Sequence, residues 1–131
     1  MKRDPDLIRK LMLKLESLPM PAGSIFMINT NKDLQIDDYS ANEVYYHMDQ
    51  ILMSGWVDGA GGHGMSPSSQ FSFRALTPAG HDFVDSVRDE KIWKLTKDGV
   101  TKVGGFTLET LSILGKAFLK KQLEKHIGFG L

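Results

Sequence analysis

The segment Leu76-Thr77-Pro78-Ala79-Gly80-His81-Asp82-Phe83-Val84-Asp85 constrains the fold of this chain more than any other stretch. Thr77 followed by Pro78 reads as a helix start. A hydroxyl side chain can cap the free amides of a first turn, and proline is tolerated at the first helical position because its missing N–H would be unpaired there anyway. Upstream, Ser54-Gly55 closes another helix, with Gly55 where a left-handed C-terminal cap is wanted. Between the two, Trp56-Val57 starts a strand, Gly59 to Ser69 is loop by composition, and Gln70-Phe71-Ser72-Phe73-Arg74 is the returning strand, with Phe71 and Phe73 on one face. A helix, a glycine turn, a two-stranded wing and a capped helix follow one another as in a winged helix. The expected fold class is therefore α+β: a winged-helix-like domain of helices and small antiparallel hairpins, with an additional C-terminal helix.

The rest of the chain fits that frame. Asp4-Pro5 is another cap-plus-proline start, and Leu7, Ile8, Leu11, Met12, Leu15 and Leu18 recur at helical spacing until Pro19 and Pro21 stop the helix. Ser24 to Asn29, the turn residues Thr30 to Asp33, and Leu34-Gln35-Ile36 read as a β-hairpin. Ser40 and Glu43 form a capping box ahead of the stripe Val44, Met48, Ile51 and Leu52. After Thr77, an apolar face of Phe83, Val84, Val87, Ile92 and Trp93 runs towards Thr96, and Gly99, Gly104 and Gly105 mark a flexible connection. Thr107 opens a last helix that is apolar on more than one side, so it needs burial on several sides. A homodimer through the first and last helices would supply that cover.

Length bounds the answer to one domain, since 131 residues fit a single core. Cysteine is absent, which excludes a disulfide framework and a cysteine zinc site. No apolar run reaches membrane-spanning length, and the charged N-terminus is unlike a signal peptide. A cytoplasmic protein without a membrane partner is expected. Net charge is zero, split as six basic and nine acidic residues over 1–65 and ten basic and seven acidic over 66–131. A dedicated nucleic-acid binder normally shows a stronger basic footprint.

Several segments resemble a family of small phage and prophage proteins, domain-of-unknown-function family 2513. They are Met1-Lys2-Arg3-Asp4 with Leu7-Ile8-Arg9-Lys10, Tyr46-His47-Met48, the Leu-Thr-x-x-Gly-His-Asp-Phe run at 76–83, and Asp85, Arg88-Asp89 and Trp93. The resemblance covers residues 1 to about 97 and leaves 98–131 as a C-terminal extension helix. The chain departs from the pattern at Trp56, where leucine is expected, and at Pro78, where tryptophan is common. The resemblance implies a winged-helix-like fold and a mobile-element setting, and no activity.

Candidate chemistry is sparse. Gly59-Ala60-Gly61-Gly62-His63-Gly64 fits a dinucleotide-binding G-x-G-x-x-G, but Met65-Ser66-Pro67 follows where a helix is required, so a flexible loop tip is the better reading. His81 and Asp85 share a helix face, with Asp82 beside them, yet two or three ligands from one helix are too few for a metal. His47 lies on an apolar stripe and reads as a packed, hydrogen-bonded residue. With no nucleophile elbow and no serine–histidine pairing in view, the expectation is a non-enzyme with no cofactor and no metal.

The helix from Ala41 to Ser54 decides between partners, because in a winged helix it would lie in the DNA major groove. Its outward residues are Asn42, Glu43, Tyr45, Tyr46, Asp49 and Gln50, with no lysine or arginine. Asp33, Asp37 and Asp38 precede it, and the wing loop adds only His63. Phosphate contacts supply much of DNA affinity, so a protein partner is expected at Tyr45, Tyr46, Asp49 and Trp56, since aromatic residues favour such surfaces. DNA is the alternative, through Asn42, Gln50, Arg74, Lys91 and Lys94, as a regulator of the winged helix-turn-helix type. Lys91, Lys94 and Lys97 share one face, and Lys116, Lys120 and Lys121 lie on the last helix; a solvated face explains both groups.

Overall fold

Asp4 starts α1 (Pro5–Ser17) by accepting the Asp6 amide on its side chain. The helix buries Leu7, Ile8, Leu11, Met12 and Leu15. The computed structural model describes residues 1–62 and 64–128, so His63 of the glycine-rich loop lies outside the described residues. By its contacts the chain divides into two compact units, Met1–His81 and Asp82–Leu131.

In the first unit, β1 (Phe26–Asn29) runs straight into α2 (Thr30–Asp33). The expected hairpin across 24–36 does not form. Asn29 is the reason: its side-chain Oδ1 accepts the amides of Asn31 and Lys32 at 2.9 and 3.1 Å, while Asp33 accepts the Asn29 amide at 2.8 Å. These bonds close a helical turn where an open hairpin turn was expected. Leu34, freed from a strand, is fully buried.

β1 instead pairs antiparallel with β3 (Gln70–Phe73), in the register Phe26↔Phe73 to Asn29↔Gln70. β2 (Val57–Asp58) pairs with β4 (Ala75–Leu76). The returning strand therefore belongs to β1 and not to β2, which corrects the simple two-stranded wing. Alternation puts Phe71 and Phe73 on the buried face with Ile28 opposite Phe71, and that apolar match fixes the register.

α3 (Ala41–Met53) starts at the capping box read from the sequence: Ser40 accepts the Glu43 amide and Glu43 accepts the Ser40 amide. It buries Val44, His47, Met48 and Ile51. Gly55 has φ 84°, as its role after the helix requires. α4 (Pro78–Val87) starts at Thr77, whose Oγ1 accepts the Gly80 amide and donates to the Gly55 carbonyl at 2.7 Å.

In the second unit, Phe83, Val84 and Val87 of α4 are fully buried. Asp89 then caps a separate helix, α5 (Glu90–Val103), by accepting the amides of Lys91 and Ile92. Gly99 lies inside α5 and not in a connection: a Cβ there would come within 2.7 Å of Leu114. Gly104, at φ 80°, ends the helix. α6 (Leu108–Ile127) begins at Thr107 and buries Leu108, Leu111, Ser112 and Gly115, all in its first half. Within the single chain its second half buries no residue. No helix among the described residues is long and apolar enough to cross a membrane.

Candidate functional site around the third helix

His47 sits in the core of the first unit, 1% exposed. Its Nε2 accepts the Asp4 backbone amide at 2.7 Å, so its other nitrogen carries the proton, and Nδ1–H donates to the Glu43 carbonyl at 2.8 Å. The ring thus ties the start of α1 to the first turn of α3. Tyr39 completes the junction by donating its hydroxyl to Asp4 Oδ2 at 2.8 Å. Burial, and then the Asp4 carboxylate, push the Tyr39 hydroxyl well above the usual tyrosine range, which keeps it a donor. Asp4 therefore caps α1, anchors Tyr39 and holds His47 through one residue. The packed reading of His47 holds, and its partner is Asp4, 43 positions away. With both ring nitrogens engaged by backbone, His47 has no lone pair left for a substrate.

The outer side of α3 is acidic and aromatic. Asn42 is exposed, and Glu43, Tyr45, Tyr46, Asp49 and Gln50 are half-buried. Tyr45 donates its hydroxyl to the Ser66 carbonyl at 3.4 Å, and Tyr46 meets His47 edge-on with ring centroids 5.8 Å apart. Trp56 is not part of this surface. It is 5% exposed, its carbonyl accepts the Thr77 amide at 3.0 Å, and the expectation that it lines an open protein-binding face is corrected.

From Asp33 to Phe73 the chain carries six acidic residues and no lysine or arginine. Asp37, Asp38 and Asp49 make no ion pair among the described residues. A cavity of about 420 Å³ opens beside this stretch, between α2, the segment 34–39 and the first turns of α3. Thr30 is one of its lining residues, and its buried Oγ1 meets no hydrogen-bond partner.

The expected DNA contacts lie apart in the sequence and in their surroundings. Arg74 is bound to Asp58 by its Nε at 3.0 Å and its terminal nitrogen at 2.9 Å, so its charge is already matched. The Ala60 amide and then Arg74 hold the Asp58 carboxyl below the usual carboxylate range. The pair is therefore intact above the ordinary aspartate range and is lost as pH falls through the lowered folded value. Lys91 and Lys94 are exposed on α5, in the second unit. His81, Asp82 and Asp85 are exposed on α4; Asp85 pairs with Arg88 at 2.8 Å, and no group of three or more metal-ligating side chains occurs among the described residues. In the Gly59–Gly64 loop Ala60, Gly61 and Gly64 have positive φ, and no helix follows, as the loop reading requires.

A family model described as hypothetical protein (DUF2513) matches residues 2–107. The chain belongs to that family. The match runs ten residues beyond the segment read from the sequence motifs and takes in the end of α5 and its glycine cap. The chain is also 25% identical over 124 residues to a protein of Haemophilus influenzae strain Rd described as an uncharacterised protein, covering 94% of this chain and 99% of the relative. No solved structure matches the chain. Two segments that carry the family resemblance, Met1 to Asp4 and Tyr46 to Met48, supply the Asp4–His47 bond.

Proposed function

We propose that this is a non-catalytic winged-helix protein of phage or prophage origin that acts in the cytoplasm by binding another protein through the outer face of α3. The order α1, β1, α2, α3, followed by strands of which β3 returns onto β1, supports the winged-helix part. The family resemblance supports the phage setting, and inhibition of a host or defence factor is one form such binding would take. The observation that carries the choice of partner is the run from Asp33 to Phe73, with six acidic residues and no lysine or arginine, on the helix and loop that a winged helix would lay on DNA. Half-exposed Tyr45 and Tyr46 suit a protein contact, where tyrosine is enriched among energetic anchors. The engaged ring of His47 and the Asp85–Arg88 pair support a non-catalytic role.

A pull-down from bacterial lysate tests the surface, with wild type and the Tyr45→Ala/Tyr46→Ala variant as baits. Wild type is expected to retain at least one protein that the folded variant loses. If the variant keeps every protein that wild type keeps, the α3 face is not the binding surface.

A further inference from the structure

We infer that the cavity beside α3 takes the guanidinium of an arginine presented by the protein partner. This rests on the protein-binding reading above and names the chemistry of that partner. The cavity, about 420 Å³, is of ligand-pocket size and far larger than a single water requires. No lysine, arginine or histidine lines it, which disfavours an anion. Its polar lining residues are Asp37, whose carboxylate only accepts hydrogen bonds, and Asn31, Gln35, Thr30 and Tyr39, whose amides and hydroxyls can also accept. Arginine carries five N–H donors in a rigid plane and no acceptor, which matches such a lining better than an ammonium does. The apolar part of the lining, Val44 among it, suits the arginine methylene stem.

A further observation favours a cation. The unpaired Asp37, Asp38 and Asp49 belong to the acidic stretch that adjoins the cavity and would draw a basic segment towards it.

The test uses a short, otherwise neutral peptide with one central arginine and the same peptide with lysine, each titrated into the labelled protein and followed by amide NMR shifts. The arginine peptide is expected to shift residues 30–44 and to bind more tightly than the lysine peptide. Asp37→Asn, a change at an exposed position, is expected to weaken it roughly tenfold by removing the charge-assisted bonds. Equal binding of the two peptides overturns the inference, as does an affinity unchanged in Asp37→Asn. Shifts confined to Tyr45 and Tyr46 also overturn it, while leaving the protein-binding reading standing. Free arginine amide binding as tightly as the peptide would make the site a small-molecule pocket and overturn the partner assignment.

Discussion

Gly80→Ala is expected to destabilise the unit Met1–His81 by about 3 kcal/mol, the upper range for forcing atoms into a packed interior. In an ordinary helix the same change is stabilising by roughly 1 kcal/mol. The sign reverses here because a Cβ on Gly80 would lie 2.2 Å from the Trp56 carbonyl oxygen and 3.1 Å from its carbon. Those are backbone atoms, and the same carbonyl accepts the Thr77 amide at 3.0 Å. Moving it aside breaks the bond that joins the start of α4 to the chain before β2. The Met12 methyl, 3.3 Å away, yields more easily and is not the obstacle. Urea unfolding followed by tryptophan fluorescence measures the loss. Gly105→Ala is the control, since nothing lies within 4 Å of its Cβ position, and it is expected to stay within about 0.5 kcal/mol of wild type. A midpoint for Gly80→Ala equal to that of the control would mean that α4 does not approach Trp56 this closely.

His47→Ala is expected to cost about 3 kcal/mol. Two hydrogen bonds disappear, at 2.7 and 2.8 Å, and the Asp4 amide and Glu43 carbonyl lose their side-chain partner. Each lost bond contributes about 1 kcal/mol, and the cavity left by a fully buried ring adds to it. Tyr39→Phe removes one bond to the Asp4 carboxylate and is expected to cost less, about 1–2 kcal/mol, because the ring remains. Long-range proton–nitrogen NMR provides an independent check, since the hydrogen bonds require the ring proton on Nδ1. A ring protonated on Nε2 alone would contradict the bond from the Asp4 amide.

The helix starts were legible because capping is local. Asp4-Pro5, Ser40 with Glu43, and Thr77-Pro78 each place donor and acceptor within a few residues of one another. Strand pairing was not legible. β2 and β4 are two residues each, too short for periodicity to register, and the pairing of β1 with β3 spans some forty residues of intervening chain. Thr30 to Asp33 are turn formers and also cap-and-helix formers; the Asn29 side chain decides between the two, and its role shows only once its bonds are seen. The apolar stripe of α3 identified His47 as buried, but stripe geometry carries no information about Asp4. Trp56 failed for a related reason: an aromatic residue after a glycine turn looks like surface until its burial is seen. Of the α3 face, the residue types and their charge were read directly, whereas the cavity behind Thr30 arises from three segments meeting and leaves no local mark.

The proposal that the α3 face serves a protein partner and not DNA is tested most directly by fluorescence anisotropy with mixed genomic duplex DNA, titrated from low to physiological salt. The expected result is no binding even at low salt, since the face offers no cation between Asp33 and Phe73. Binding with a steep negative salt slope would mean several phosphate contacts and would contradict the claim in favour of a DNA-binding regulator.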